Sequence, residues 1–231
     1  MTDALDLRLA YAILLCCVAL QRVIELWISR RHLRARAEAH ARDAASASTP
    51  LATAGTRADW WAMIGVHAAL IVLPACEVFW FDPQALARAQ APQLARFWIA
   101  LAAYVAAQLL RAWSIASLGP AWNARAAVDA SLGVVARGPY RWIRHPNYLA
   151  VLIDFSAVPL AGGAWRSWIV LNALHLPILV RRIRLEERLL ARVDGYTSLM
   201  SGKGRFLPRL RATSRAHAHD SSKPEAPRAQ R

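Results

Sequence analysis

The stretch that decides the fold runs from Tyr148 to Val180, YLAVLIDFSAVPLAGGAWRSWIVLNALHLPILV. It is mostly apolar, and it is too long for one membrane span, because a helix crosses a hydrocarbon core of about 30 Å with roughly 20 residues. Proline and two glycines interrupt it at Pro159–Gly163, a combination that favours a tight turn. The stretch therefore predicts a hairpin of two helices.

Three further apolar blocks precede this hairpin. They are Leu7–Ile28, Trp60–Trp80 and Phe97–Ser117, and each is long enough to cross a bilayer. The first block lacks a basic leader and exceeds the usual signal-peptide core, so we expect a membrane helix there and not a secretory signal. With the hairpin, these blocks predict an all-α integral membrane protein with about five transmembrane helices.

The distribution of arginines predicts the orientation of these helices. The basic side carries Arg30, Arg31, Arg34, Arg36, Arg42 and Arg57 before the second helix, and Arg125, Arg137, Arg141 and Arg144 before the fourth. The other side has few basic residues, and basic loops stay in the cytoplasm. We therefore expect the N-terminus outside, and the C-terminus and any pocket at the basic side in the cytoplasm.

The formal net charge of +14 has an explanation in the membrane. Basic loops satisfy the orientation rule and face anionic lipid headgroups, and the sequence has no zinc-finger spacing or RNA-binding signature. Nucleic acid is therefore not an expected partner. Cys16, Cys17 and Cys76 form no CxxC pair, so no metal site is predicted.

The chain divides into three predicted regions. Residues 1–117 hold three helices and a basic cytoplasmic loop at about 30–58. Residues 118–210 hold a loop, the hairpin and an acidic helix end. Residues 211–231 have the low hydrophobicity of a disordered basic tail.

The segment before the hairpin, Arg137–Tyr148 or RGPYRWIRHPNY, predicts a functional site. Gly138 and Pro139 stop an arriving helix, and Pro146 suits the first turn of the next, so the fourth helix should begin near His145. Polar residues then lie at the cytoplasmic mouth, near helix N–H groups that attract anions. They are Tyr140, Arg141, Arg144, His145 and Asn147. A purely structural loop needs the glycine and prolines but not these residues, although arginine and tyrosine are also common at membrane interfaces.

The second polar segment is Val180–Leu190, VRRIRLEERLL. Arg182 and Glu186 are four residues apart and share a helix face, whereas Glu187 points elsewhere. Taken alone, this spacing also fits an ordinary surface ion pair. The hairpin, however, returns this helix to the side where the fourth helix begins, and so predicts that Glu186 and His145 reach one pocket.

The two segments together resemble the isoprenylcysteine carboxyl methyltransferase family, membrane enzymes that use S-adenosylmethionine. The resemblance rests on Gly138-Pro-Tyr, Arg144-His-Pro-Asn-Tyr, the hairpin and Glu186-Glu187, and covers roughly Leu132–Pro208. It implies cofactor contacts at Leu132, Gly133, Val134, Val135, Tyr140, His145, Pro146, Asn147, Tyr148 and Glu186. Ala150 departs from the pattern, since many members have glycine there.

The resemblance also implies catalytic roles, for Arg182 on the substrate side and for His145. Methyl transfer from a sulfonium needs no metal, so the protein has to position the two reactants and exclude water. Arg182 could hold an anionic acceptor oxygen. Asp154, a costly residue inside a span, is a candidate substrate contact and acid or base.

The expected acceptor is a lipid-like small molecule, because the site should open into the bilayer. The run from WNARAAV to RHPNYLAVL resembles the bacterial branch of the family, which is similar to enzymes that O-methylate alkylresorcinols or alkylpyrones. This implies the inner membrane of a bacterium. Two alternatives remain: an NADPH-dependent sterol or steroid reductase, which carries a similar Arg-His-x-Asn-Tyr element, and a membrane scaffold without enzymatic activity.

Overall fold

The computed structural model describes residues 2–42, 52–53, 56–82, 86, 91–124, 127–128 and 130–209. Its helices are α1 (Thr2–Arg42), α2 (Arg57–Cys76), α3 (Ala91–Leu118), α4 (Pro146–Gly162), α5 (Trp165–Leu190) and α6 (Tyr196–Met200). In this part of the chain, the strands are β1 (Ala52–Thr53) and β2 (Ala127–Val128), which pair antiparallel. The predicted helical architecture is thus confirmed apart from this short pairing. The predicted disordered tail, 211–231, lies outside the described residues.

Within the part of the chain that the structure describes, three helices are long and apolar enough to cross a membrane: Leu7–Ala39, Arg57–Phe81 and Ala91–Ala121. They contain the three predicted N-terminal spans. The fourth helix has 17 residues, which is shorter than the roughly 20 needed to cross a typical bilayer upright. Five spans and the N-outside orientation therefore remain predictions.

The predicted hairpin is present, and glycine makes its turn. Gly163 adopts a left-handed conformation with φ of +75°, and the amides of Gly163 and Ala164 donate to the carbonyls of Leu160 and Pro159 at 3.0 and 2.9 Å. A Cβ at Gly163 would lie 2.6 Å from the Arg96 guanidinium. The left-handed backbone therefore favours glycine at this position, and a Cβ there would also make the end of the Arg96 side chain move.

The fourth helix is the centre of the bundle. Phe155, Val158 and Ala161 on α4 are fully buried, and α4 packs against α3, α5, α2 and α1. A helix that is apolar all round is expected to be buried on all sides. Its neighbours therefore surround the residues that α4 contributes to the site.

The first helix is longer than its apolar block. We expected it to end near Ile28 and the basic segment from 30 onward to be a loop, but the helix continues to Arg42. The added residues are mostly good helix formers without glycine or proline, so the helix does not stop where hydrophobicity stops. Its extension packs on the connection after α3, where the Trp122 carbonyl lies 3.0 Å from His32 Nδ1 and accepts from Arg36 Nη2 at 3.2 Å.

The contact between α1 and the end of α4 gives a stability prediction. A Cβ on Gly162 would lie 2.7 Å from Cε1 of the buried Tyr11 ring, so Gly162→Ala should lower the free energy of unfolding by about 1–3 kcal/mol. Gly65→Ala is the matched control, since a Cβ there meets nothing within 4 Å, and it should be neutral or stabilising through helix propensity. Thermal unfolding in detergent measures both, and equal effects would contradict the prediction.

Candidate active site

A cavity of about 480 Å³ lies between the ends of the helices and the loop that precedes α4. Its apolar wall comes from α1 and α2, and includes Ala19, Val23, Met63, Ile64 and Ile71. Its polar wall holds most of the site residues predicted from the sequence. These are Gly133, Val134, Val135, Tyr140, Asn147, Tyr148, Arg182 and Glu186.

Tyr148 joins the two predicted residues of α5. Its hydroxyl donates to the Glu186 carboxylate and accepts a hydrogen bond from Arg182 Nε at 2.8 Å. Arg182 Nη2 also donates to the Ala124 carbonyl at 2.5 Å. The start of α4, the end of α5 and the connection after α3 therefore meet at one polar array on the cavity wall.

Leu132 and Pro146 are predicted cofactor residues that lie outside the cavity wall. Leu132 is 41% exposed and is not among the residues that line the cavity. Pro146 is buried in the first turn of α4, as expected for that position, but it is also absent from the cavity wall. Both residues border the site without forming its surface.

Tyr140 is held against the cavity by the turn that precedes it. Gly138, at the start of the short helix Gly138–Arg141, has φ of +58°. A Cβ there would collide with the Ser117 side chain, and Arg137 Nε donates to the Ser117 carbonyl at 2.9 Å. The predicted requirement for glycine is thus explained by the close approach of this turn to α3.

His145 does not reach Glu186, contrary to the prediction of a shared pocket. It is buried, its Nε2 lies 3.1 Å from Oε1 of Glu187, and it does not line the cavity. Glu187, expected to point elsewhere, also pairs with Arg144 at 3.1 Å and Arg205 at 2.6 Å. The face of α5 that turns away from Glu186 thus binds the Arg-His pair.

Glu187 is the centre of a clamp that closes this end of the molecule. The amides of Arg144 and His145 donate to the carbonyls of Gly204 and Arg205, both at 2.9 Å. Burial tends to raise the pKa of Glu187, but hydrogen bonds from Arg205 and His145 outweigh it and lower the pKa to about 2. The segment after α6 is thereby fixed to the loop that carries the site.

The clamp predicts a pH dependence of stability. Because the folded pKa of Glu187 is depressed from 4.5 to about 2, its contribution is present above pH 4.5 and is lost as the pH falls toward 2. Glu187→Gln should lower the unfolding midpoint at pH 7, and this difference should shrink with acidification. Unfolding in detergent from pH 7 to pH 3 tests this, with the exposed Asp194→Asn as control. A difference that does not change with pH would contradict it.

Asp154 lies in a buried ion cluster and not on the cavity wall, which corrects its predicted contact with substrate. Its Oδ1 accepts from Gln108 at 2.7 Å, and its Oδ2 accepts from Arg22 at 2.6 Å and from Arg111. Glu25 completes the cluster through Arg22 and Arg111, both at 3.0 Å. With three donors around its carboxylate, Asp154 is not placed to act as an acid or base.

Arg22 and Glu25 line the cavity together with Arg111, and these two residues of α1 were not predicted from the sequence. The signal was present, because Arg22 and Glu25 are charged residues well inside the apolar block Leu7–Ile28, and charges in a span are costly unless paired. Their partners come from α3 and α4. Only the packing of three helices could therefore show what they do.

The ion cluster predicts that Asp154→Asn is strongly destabilising. The change leaves Arg22 and Arg111 with one buried carboxylate, which should cost about 3–5 kcal/mol in the free energy of unfolding. Adding Arg111→Met removes one charge of the opposite sign and should recover part of that loss. Unfolding in detergent measures both variants. A single variant as stable as the native protein would contradict the structural role of Asp154.

The fold and the cavity define a helical membrane protein with an internal site that combines polar groups with apolar residues of α1 and α2. Residues 98–192 match the model of the isoprenylcysteine carboxyl methyltransferase (ICMT) family. The match runs from α3 through the end of α5 and includes both motif segments. It confirms that this segment of the chain resembles the ICMT family.

The chain is also similar to the "Uncharacterized protein YpbQ" of Bacillus subtilis (strain 168). The two are 32% identical over 99 residues, which is 42% of this chain and 59% of the relative. The chain thus covers less than two thirds of the length of that relative. This similarity therefore does not establish the activity of the whole protein.

Proposed function

We propose that the protein is a membrane-embedded, S-adenosylmethionine-dependent methyltransferase that O-methylates a lipid-like acceptor. The observation that carries the proposal is the array of Glu186, Tyr148 and Arg182 on one wall of a cavity whose opposite wall is apolar. Such a cavity suits a polar cofactor beside a hydrophobic acceptor. The array lies within the segment that matches the family.

The polar end of the cavity fits the cofactor. Asn147 Oδ1 is buried without a hydrogen-bond partner, and an unpaired buried acceptor costs about 1–3 kcal/mol, so an amine or hydroxyl donor of a ligand would satisfy it. Glu186 would take a further cationic or hydroxyl group, and Tyr140 would supply an aromatic surface. Gly133, Val134 and Val135 would form the adjoining wall.

The chain's own residues would position and activate the reactants. When bound, S-adenosylmethionine supplies an electrophilic methyl group on a sulfonium. Arg182, held by Tyr148 and the Ala124 carbonyl, would orient the polar head of the acceptor. His145 would act as a positioning residue, since it fixes the loop through Glu187 and does not face the cavity. Closure of the site by the Glu187 clamp would help to exclude water.

The acceptor would enter from the membrane side. The apolar residues of α1 and α2 on the cavity wall would hold a hydrocarbon chain, while the polar head of the acceptor lies between them and Arg182. Two acceptor groups suit this proposal, the hydroxyl of a phenolic lipid or alkylpyrone and a carboxylate. The polar end of the cavity would face the cytoplasm, in accord with the predicted orientation of the basic loops.

Binding of S-adenosylhomocysteine tests the proposal. Glu186→Gln should weaken this binding by about 10- to 100-fold, because a hydrogen bond to a charged group contributes about 1.5–3 kcal/mol. Calorimetry on the detergent-purified protein measures the affinity, and the exposed Asp194→Asn is the control with the same change of charge. Binding of NADPH without S-adenosylhomocysteine would contradict the proposal and favour the reductase.

A further inference from the structure

His67 of α2 is a cavity residue outside the motif segments. It lies within a candidate membrane span, where an ionisable side chain is costly and points to a function. Its Nδ1 is 2.8 Å from the Met63 carbonyl, so Nδ1 carries a proton and donates it to that oxygen. In the neutral ring, Nε2 then holds a lone pair. The hydrogen bond that His67 makes among the described residues is this one, through Nδ1.

The ring is held in a fixed position at the edge of an aromatic stack. It meets Phe155 edge-on at 5.2 Å and His175 at 6.1 Å between ring centroids, and Phe155 stacks on His175 at 3.7 Å. His175 does not line the cavity, whereas His67 does. The two imidazoles therefore pack against the same phenylalanine, and of the two residues His67 lines the cavity.

The position of His67 is deeper than that of the polar array. Phe155 follows Tyr148 by seven residues on α4, a rise of about 10 Å, and Val151 lies on the cavity wall between them. The cavity is thus continuous from Glu186 and Tyr148 at one end to His67 near the apolar wall. This separation leaves room for an acceptor ring.

The arginines on the cavity wall have carboxylate partners among the described residues. Four arginines line it, and each lies beside a carboxylate or a group bound to one. The pairings are Arg22 and Arg111 with Glu25 and Asp154, Arg144 with Glu187, and Arg182 with Glu186 through the Tyr148 hydroxyl. A carboxylate acceptor would therefore meet cations that already have counterions. A neutral hydroxyl acceptor adds no charge, but it needs a group to take its proton.

We propose that the acceptor oxygen is a weakly acidic hydroxyl, and that His67 is the general base that takes its proton. This inference rests on the proposed methyl transfer. Of the two acceptor groups proposed for it, a hydroxyl and a carboxylate, it selects the hydroxyl. Nε2 accepts the hydroxyl proton while the oxygen electron pair forms the new bond to the methyl carbon. The carbon–sulfur bond breaks with its electrons on sulfur, which gives S-adenosylhomocysteine, and the imidazolium then returns its proton to solvent.

The experiment compares three acceptors with the same alkyl chain: a phenol, a nitrophenol that is already ionised at the assay pH, and a benzoic acid. The full-length protein in lipid nanodiscs receives S-adenosylmethionine with a labelled methyl group. His67→Gln keeps a donor for the Met63 carbonyl but has no basic nitrogen. His175→Gln is the matched control, since it removes the other imidazole of the stack outside the cavity.

We expect His67→Gln to slow methylation of the phenol by about 10²- to 10⁴-fold, the usual contribution of a general base. Its rate with the nitrophenol should fall far less, because that acceptor needs no base. His175→Gln should keep the native ratio of the two rates, and His67→Gln should keep native binding of S-adenosylhomocysteine. A purely structural role for His67 would slow both acceptors equally, and this result would overturn the inference.

If His67→Gln does not fold, the choice between phenol and benzoic acid by the native protein tests the inference independently. Preferential methylation of the phenol over the benzoic acid supports a hydroxyl acceptor. Binding of S-adenosylhomocysteine with transfer only to the benzoic acid overturns this inference and leaves the proposed function standing. Neither binding nor transfer in the native protein overturns the proposed function, and the inference with it.

Discussion

The reversal of the chain at Gly163 brings the end of α5 back beside the start of α4, and the polar array depends on this return. Without it, Glu186 could not accept the Tyr148 hydroxyl hydrogen bond, and Arg182 could not donate to the same oxygen. The turn is tight because Gly163 adopts a left-handed conformation that residues with a side chain rarely take. The backbone conformation of this turn thus places the polar residues of α4 and α5 next to one another.

Burial of charge is the second constraint on this molecule. Within a membrane, charged side chains must pair with one another, because water is not there to solvate them. The cluster around Asp154 satisfies this requirement by joining α1, α3 and α4 through Arg22, Glu25 and Arg111. The same side chains line the cavity, so the groups that hold the helices together also set the electrostatics of the proposed acceptor site.

The two neighbouring glutamates of α5, Glu186 and Glu187, lie on different faces of the helix and make different contacts. Glu186 turns to the cavity, whereas Glu187 holds the Arg144–His145 pair and Arg205. Neighbouring helix residues point about 100° apart, so one helix end can serve a binding site and a structural clamp at once. The resemblance implied cofactor contacts for both Glu186 and His145. In the structure, Glu186 lines the cavity and His145 does not.

Local chemistry in the sequence determined the helices, the hairpin and most of the polar wall. The turn at Pro159–Gly163 and the four-residue spacing of Arg182 and Glu186 act over short distances, and both had their predicted effect, whereas apolar length is confirmed for the three N-terminal helices. Tertiary structure decided the partners of His145 and Asp154 and the place of His67 in the cavity wall. These depend on which faces of distant helices meet, and residue spacing along the chain does not carry that information.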